Sequence, residues 1–279
     1  MNDNRDQIKS DYTDALSESG ERRSVVAQTG AARFANYAVE QLKNVPEDAV
    51  NASFGCGNPV AFSSVQPGQT VLDLGCGAGL DLLIAAEKVG PSGTVIGVDM
   101  TDAMLEKATA NIQASGLKNI QVRKGYVETL PIESGSIDWV VSNCVINLSP
   151  EKDKVFAEIA RVLKPGGQMI VSDIVAGNLP WWVRRSGVLT AACVGGAISE
   201  ARYLEGLRAA GLQDCNIIAR QYYEPVQMAS VVVGALPRYL KKASCCGKPI
   251  ARSLLTRLAK PVAERLWSAR IAARKPVAH

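Results

Sequence analysis

A glycine-rich turn between an apolar strand and an apolar helix is the feature that most constrains the fold. The turn, Gly75-Cys-Gly-Ala-Gly79, follows the strand-like run 70–74, and Asp99 ends the next such run, 20 residues after the last glycine. Glycine lets backbone approach a ligand closely, and the unpaired N–H groups of a helix start attract anions. A carboxylate at the end of the second strand can accept hydrogen bonds from both ribose hydroxyls. The pattern therefore predicts a nucleotide-type ligand site.

Strand-like and helix-like runs alternate through the middle of the chain. Strand-like runs occupy 70–74, 94–99, 120–123, 136–143 and 168–174, and helical periodicity occupies 80–89, 102–115, 151–163 and 204–212. Such alternation predicts a parallel α/β sheet. Two further runs, 215–223 and 228–236, are candidate closing strands. We therefore expect a Rossmann-like sheet of seven strands.

Composition divides the chain into four segments. Residues 1–50 form a polar, helical segment, 51–175 the α/β core, 176–237 a cap or substrate segment with the closing strands, and 238–279 a basic tail. The tail holds eleven Lys or Arg and one acidic residue, with apolar residues at roughly helical spacing. This predicts an amphipathic helical tail with a solvated basic face, dispensable for chemistry. A membrane surface is the alternative partner; nucleic acid is not expected, because no aromatic residues interleave to stack bases.

Histidine and cysteine usage excludes several kinds of site. The only histidine is His279, so we do not expect a zinc site built on imidazole, a Ser-His-Asp triad or a Cys-His dyad. The seven cysteines are odd in number, and the polar start of the chain does not match a signal peptide. No apolar run reaches the roughly 20 residues of a membrane helix. We expect a cytoplasmic, monomeric protein with mostly reduced thiols.

Three motifs together resemble those of the class I S-adenosylmethionine (SAM) methyltransferases. They are Val71-Leu-Asp-Leu-Gly-Cys-Gly-Ala-Gly79, Glu128-Thr-Leu-Pro131 and Lys164-Pro-Gly-Gly167. The resemblance implies that Gly75 and Gly77 pass the methionine moiety, that Asp99 holds the ribose, and that Val127 and Glu128 lie by the adenine. The full set of implied cofactor residues is Asp73, Gly75, Gly77, Asp99, Met100, Val127, Glu128 and Asn143. The alternatives are an NAD enzyme and a Rossmann shell without a nucleotide.

Three cysteines stand in distinctive contexts: Phe54-Gly-Cys56-Gly, Ser142-Asn-Cys144-Val-Ile-Asn-Leu-Ser-Pro150 and Cys193-Val-Gly-Gly-Ala197. Cys144 directly follows the fourth strand, and ligands of open α/β sheets lie outside the carboxyl ends of the strands. A single cysteine is usually a small buried apolar residue, but three at one edge would indicate a site. These runs resemble the arsenite methyltransferases, bacterial and animal, over residues 51 to about 200. Cys245-Cys246 is similar to a vicinal pair in some members.

The resemblance implies that Cys56, Cys144 and Cys193 are catalytic and bind As(III), as arsenite or methylarsenite. Trivalent arsenic is soft and favours thiolates, and its lone pair can take a methyl group from SAM without a general base. Many members have a further N-terminal cysteine that is absent here, so glutathione or thioredoxin is expected as the external reductant. The implied role is arsenic detoxification. The alternatives are a methyltransferase for a quinone or sterol precursor, and a non-enzymatic thiol sink for As(III) or Sb(III).

Overall fold

The computed structural model of the chain describes residues 5–17, 37, 42–43, 45–53, 55, 57–179, 181–184, 190, 193–222, 244–245, 248–249 and 264–277. Seven strands form the main sheet: Thr70–Leu74 (β1), Thr94–Asp99 (β2), Ile120–Lys124 (β3), Ile137–Asn143 (β4), Leu163–Ala176 (β5), Gln213–Tyr222 (β6) and Leu266–Arg274 (β7). Their spatial order is β3-β2-β1-β4-β5-β7-β6. Strands β1 to β5 are parallel, and β7 is antiparallel to both of its neighbours.

Helices cover both faces of this sheet. In chain order they are Arg5–Ser17 (α1), Glu47–Asn51 (α2), Pro59–Phe62 (α3), Leu80–Val89 (α4), Asp102–Ser115 (α5), Lys152–Val162 (α6), Trp181–Arg184 (α7) and Glu200–Ala209 (α8), with a 3-10 turn at Ile146–Leu148. Side chains of α6 and α8 pack with Leu72 and Leu74 on one face, whereas α4 packs with Val71 on the other. Alternate residues of β1 thus pack into two separate cores, because successive side chains of a strand point to opposite faces of the sheet. The expected seven-stranded Rossmann-like fold is confirmed.

The seventh strand lies where the sequence predicts a helical tail. Leu266–Arg274 pairs with β5 on one side and β6 on the other, so this part of the tail is inside the sheet. The prediction of a helix is therefore wrong for these residues, and the prediction that the tail is dispensable for chemistry stays a prediction. Alanine and arginine favour helices, but the alternating burial of this segment between two strands overrides that preference. The other candidate strand, 228–236, lies outside the described residues.

The segments at either end of the α/β core are described in part. The helix α1 confirms a helical start for the N-terminal segment. In the predicted cap segment, the structure describes α7, Thr190 and residues 193–199 before α8 begins. Residues Ser244–Cys245 and Lys248–Pro249 form a separate two-stranded ladder. Within the part of the chain that the structure describes, no helix is long and apolar enough to span a membrane.

The position of β7 predicts a large effect of mutation in it. Ile271 is fully buried between β5 and β6, so Ile271→Ala should lower the free energy of unfolding by about 2–5 kcal/mol in urea denaturation. Ile218 on β6 is 47% exposed, so Ile218→Ala should change it by less than about 0.5 kcal/mol. Equal effects of the two substitutions would contradict the central position of β7.

Candidate active site

A cavity opens at the carboxyl ends of β1, β2 and β4. The chain leaves β1 toward β2 on one side, while β4 pairs with β1 on the other. A reversal of strand order of this kind leaves a crevice in which α/β proteins bind ligands. All eight residues that the sequence assigned to a cofactor line this one cavity: Asp73, Gly75, Gly77, Asp99, Met100, Val127, Glu128 and Asn143.

The glycine turn forms one wall of the cavity. Gly75 and Gly77 both have a left-handed backbone, with φ of 66° and 51°. A β-carbon on Gly75 would overlap the side chain of Val145, so this position also requires glycine for space. The neighbouring Cys76 is buried, and its sulfur packs against Gly97. Burial raises the pKa of the Cys76 thiol well above its usual value, which suits a packing role.

Asp99 joins the end of β2 to the glycine turn. Its Oδ2 accepts a hydrogen bond from the Gly77 N–H at 3.0 Å, and its Oδ1 accepts one from the Thr101 N–H at 2.9 Å. Burial raises the pKa of Asp99, whereas these backbone donors lower it. Each carboxylate oxygen keeps a further lone pair. Asp99 can therefore still accept hydrogen bonds from a diol in the cavity.

Two more carboxylates, Asp73 and Asp81, lie on the methionine side of the predicted cofactor site. Both are buried and line the cavity. Burial raises the pKa of Asp73 well above its usual range, and the charges of Asp81 and Asp99 raise it further. Burial also raises the pKa of Asp81, to about 6, although hydrogen bonds from Tyr37 and Asn143 lower it. A cationic ligand would relieve this crowding of negative charge.

Asn143, the last residue of β4, ties this carboxylate cluster to the loop before β1. Its Nδ2 donates to the Gly57 carbonyl at 2.6 Å, and its Oδ1 accepts from the Gly57 N–H at 3.1 Å. The same Nδ2 lies 3.2 Å from Asp81 Oδ2, and the Tyr37 hydroxyl donates to Asp81 Oδ1 at 2.8 Å. These contacts fix the orientation of the Asp81 carboxylate at the cavity wall.

The opposite end of the cavity is lined by Met100, Val127 and Glu128. The Glu128 carboxylate is mostly buried and accepts a hydrogen bond from the Ser149 hydroxyl at 2.5 Å. Arg5 of α1 donates to the same Glu128 oxygen at 3.4 Å. Glu128 is therefore held in place before any ligand binds, with Val127 beside it as an apolar surface.

Cys144 and Cys193 are in contact beside this cavity. The Cys193 sulfur donates to the Cys144 carbonyl oxygen at 2.7 Å, and the Cys144 N–H donates to the Ser172 carbonyl at 2.8 Å. Both cysteines are buried, and neither side chain itself lines the cavity, although Asn143 and Val145 on either side of Cys144 do. The structure thus brings Cys144 and Cys193 together next to the carboxyl end of β4.

Both cysteines also have an unusual backbone. Cys144 has a φ of 63° and Cys193 a φ of 61°, in the left-handed region that side chains other than glycine rarely adopt. Such a conformation costs roughly 1–3 kcal/mol and concentrates at functional sites. The glycines after Cys193 permit close packing: a β-carbon on Gly196 would overlap the carbonyl oxygen of Asn147. Close packing and the sulfur–carbonyl hydrogen bond hold the two cysteines against each other and offset this strain.

The third predicted arsenic ligand, Cys56, lies outside the described residues, but its two neighbours are described. The backbone of Gly57 is hydrogen-bonded to the Asn143 side chain, and a β-carbon on Gly55 would overlap the same side chain. A β-carbon on Gly57 would lie 2.5 Å from the side chain of Ser172. The described residues contain no group of three or more His, Cys, Asp or Glu placed to hold a metal ion. The three-thiol site therefore stays a prediction.

Cys144 is an exception to the expectation of mostly reduced thiols, which the other cysteines of the described core follow. Cys144 is disulfide-bonded, whereas Cys76, Cys193 and Cys215 are free. An odd cysteine count and the start of the chain say nothing about which sulfurs the fold brings within bonding distance. As a consequence, Cys144 can present a thiolate only after reduction.

Several residues beside the cysteines were not identified from the sequence. Asp173 on β5 is buried, accepts from Asn147 Nδ2 at 2.8 Å, and accepts from the Tyr203 hydroxyl at 3.3 Å. Burial raises the pKa of Asp173 to about 7, against the nearby charge of Lys152, which lowers it. Asp81 and Tyr37 were missed as well. The only sign of Asp173 and Asp81 in the sequence is that each is a charged residue within a mostly apolar strand or helix.

Comparison with known proteins agrees with this geometry. A family model described as a methyltransferase domain matches residues 66–211. A solved structure of an arsenic (III) S-adenosylmethionine methyltransferase from Chlamydomonas reinhardtii superimposes with a TM-score of 0.63 at 30% identity, covering 90% of this chain and 74% of that one.

Curated relatives point to the same family. The chain is 48% identical over 139 residues to an arsenite methyltransferase of Halobacterium salinarum, covering 50% of this chain and 35% of that protein. It is 39% identical over 188 residues to an arsenite methyltransferase of Aquipseudomonas alcaligenes, covering 64% of this chain and 54% of that protein. It is 35% identical over 201 residues to an arsenite methyltransferase of Mus musculus, covering 68% of this chain and 53% of that protein. The chain thus spans between about a third and about half of the length of these relatives. It belongs to the class I SAM-dependent methyltransferases, in the family that contains the arsenite methyltransferases.

Proposed function

We propose that this protein transfers methyl groups from SAM to trivalent arsenic, held as arsenite or methylarsenite by cysteine thiolates, in arsenic detoxification. The observation that carries the proposal is the contact between Cys144 and Cys193 at the carboxyl edge of the sheet, both with a left-handed backbone. Two strained cysteines in contact beside a cofactor-type cavity fit a soft metalloid better than an oxygen or nitrogen acceptor.

The residues that line the cavity fit SAM. SAM supplies a sulfonium-bound methyl group and carries a second positive charge on its ammonium group. Asp73 and Asp81 lie where buried carboxylates would neutralise these charges, and burial is the main cause of their raised pKa values. Asp99 can accept from the ribose, and Val127 with Glu128 can contact the adenine. The glycine turn leaves room for the methionine moiety.

The thiolates contribute to catalysis by positioning arsenic. Arsenite exchanges its hydroxyls for cysteine sulfurs, and each exchange returns the thiol proton to the departing hydroxyl as water. Arsenic keeps a lone pair that carries no proton, so no general base is needed, in agreement with a chain whose only histidine is its last residue. Rate acceleration then comes from holding the two reactants in line.

The same chemistry requires a reductant. Formation of the arsenic–carbon bond uses the arsenic lone pair, so arsenic is formally oxidised by two electrons and must be reduced before a further round. The disulfide at Cys144 must also be reduced before its sulfur can bind arsenic. We propose an external thiol, glutathione or thioredoxin, as the source of these electrons.

The thiols predict a difference between two substrates. Arsenite can take three thiolates, but methylarsenite already has one bond to carbon and can take two. Cys144→Ser and Cys193→Ser should therefore abolish methylation of both, whereas Cys56→Ser should abolish or strongly slow methylation of arsenite and retain that of methylarsenite. Arsenic speciation after incubation with SAM, excess thiol and each substrate measures this. Equal loss of both activities in a folded, SAM-binding Cys56→Ser variant would refute the three-thiolate account.

The same speciation assay separates the competing functions. A methyltransferase for a quinone or sterol precursor would leave arsenite unmethylated. A thiol sink would bind As(III) or Sb(III) without converting SAM to S-adenosylhomocysteine. Cys215→Ser is the matched control for the cysteine series, because Cys215 is a buried free thiol on β6, in the hydrophobic core.

The disulfide predicts that activity depends on prior reduction of the protein. Protein prepared without thiol should be inactive and become active after treatment with a phosphine reductant, because only the reduced form offers Cys144 as a ligand. Iodoacetamide labelling followed by mass spectrometry should modify Cys144 only after that treatment. Full activity of unreduced protein whose Cys144 resists labelling would contradict a ligand role for Cys144.

The carboxylates predict a pH dependence of SAM affinity. Asp81 has a pKa of about 6 in the free protein, and a cationic ligand favours its ionised form, so binding near pH 6 should release protons. The SAM dissociation constant should rise about fourfold between pH 7.5 and pH 5.5, as the ionised fraction of Asp81 falls. Calorimetry in buffers of different ionisation enthalpy measures both effects. Asp81→Asn should weaken SAM binding at pH 7.5 and make the SAM dissociation constant depend less on pH. A wild-type dissociation constant that does not change with pH would exclude this role of Asp81.

A further inference from the structure

The chain segments that begin at Cys144 and at Cys193 meet at two points. At the first point, the Cys193 sulfur donates to the Cys144 carbonyl oxygen at 2.7 Å. The second point lies three residues further along each segment, where a β-carbon on Gly196 would overlap the Asn147 carbonyl oxygen. A single contact would leave one segment able to pivot on the other, whereas two contacts fix their relative placement.

Strand β5 anchors the segment that begins at Cys144. The Cys144 N–H donates to the Ser172 carbonyl at 2.8 Å, and Asn147 Nδ2 donates to the Ile174 carbonyl at 2.6 Å. The same Nδ2 donates to Asp173 Oδ1 at 2.8 Å, so both hydrogens of this amide are used on β5. The segment is therefore bonded to the strand at Cys144 and again three residues later.

The same strand anchors the segment that begins at Cys193. The Ala176 N–H of β5 donates to the Ile198 carbonyl at 3.1 Å, and within the segment the Ala197 N–H donates to the Val194 carbonyl at 3.2 Å. Both segments thus bond to neighbouring residues of β5. Because β5 is itself paired with β7 over these residues, it gives the two segments a common, ordered base.

Asn147 takes part in both sets of contacts. Its amide is bonded to β5, while its carbonyl oxygen touches Gly196 and accepts from Lys152 Nζ at 3.2 Å. Asn147 is only 1% exposed, and no donor in the described part of the chain reaches its Oδ1. A buried oxygen without a donor costs stability. That cost points to a positional role for the rest of the residue.

We propose that Asn147 is a positioning residue of the arsenic site, which sets the separation of the Cys144 and Cys193 sulfurs so that one arsenic atom can bind both. This inference rests on the proposed function. Methylarsenite is the simplest ligand for it: two As–O and two S–H bonds break, two As–S bonds form, and two waters leave without electron transfer. The second sulfur strengthens binding only where the spacing allows both to bind at once.

Gly196→Ala tests the proposal, because it adds one methyl group where the Asn147 carbonyl lies and must push the two segments apart. On reduced protein without SAM, equilibrium dialysis should show a methylarsenite dissociation constant at least about tenfold higher than in the wild type, since chelation by two sulfurs depends on their spacing. In the methylation assay, the KM for methylarsenite should rise by a similar factor, while the KM for SAM changes by less than about twofold.

Gly177→Ala is the matched control for this substitution. Gly177 directly follows β5, its backbone is outside the left-handed region, and a β-carbon there would meet no described atom within 4 Å. The same exchange of glycine for alanine should therefore leave methylarsenite binding and both KM values unchanged.

Alkylation separates the spacing of the two sulfurs from their accessibility. Iodoacetamide reacts with one thiol at a time, so reduced Gly196→Ala protein should be labelled at Cys144 and Cys193 at least as fast as the wild type while it binds methylarsenite more weakly. Labelling that slows by the same factor as the binding would assign the loss to thiol access and overturn the inference.

Asn147→Ala is a second variant, which tests the proposal even if Gly196→Ala does not fold. It removes both bonds from the amide to β5, so it should raise the methylarsenite dissociation constant by a similar factor and leave S-adenosylhomocysteine binding unchanged. Unchanged methylarsenite binding in a folded variant, or an equal loss of binding for both ligands, would refute the role of Asn147. Failure of the wild type to methylate arsenic would instead refute the proposed function.

Discussion

The reversal of strand order between β1 and β4 is the constraint on which the site depends. Because the chain runs from β1 to β2 on one side and returns through β4 on the other, no connection closes the crevice between them. The glycine turn, Asp99 and Asn143 all end strands at this edge. The crevice is therefore lined by backbone donors, carboxylates and an amide that come from different strands.

Negative charge is the main electrostatic property of the crevice. Asp73, Asp81 and Asp99 are brought together there from β1, α4 and β2, and burial raises the pKa of each. Buried carboxylates are costly unless they are hydrogen-bonded or paired with a cation. Backbone N–H groups satisfy Asp99, and Tyr37 with Asn143 satisfy Asp81. The remaining deficit of positive charge is what a sulfonium ligand with an ammonium group would supply.

The limits of prediction from the sequence are clearest at β7 and Cys144. The helices at 80–89 and 102–115 and the strand at 94–99 agree with the structure at both ends, because periodicity and glycine stops are local. The strand at 266–274 was predicted as helix, since its alanines and arginines favour helix and its partners, β5 and β6, lie far away in the sequence. The disulfide at Cys144 depends on distance in space, which spacing along the chain does not encode.

The sequence by itself determined the parallel strands of the sheet, the glycine turn with Asp99, and the edge at which Cys144 and the cofactor residues lie, because strand period and the position of a residue after a strand are local properties. Only the tertiary structure decided that Cys144 and Cys193 touch through a sulfur–carbonyl hydrogen bond with a left-handed backbone at both residues. It also decided that Asp81 contacts the Asn143 amide at the end of β4. These two contacts join residues 49 and 62 positions apart, so they form only when whole helices and strands pack.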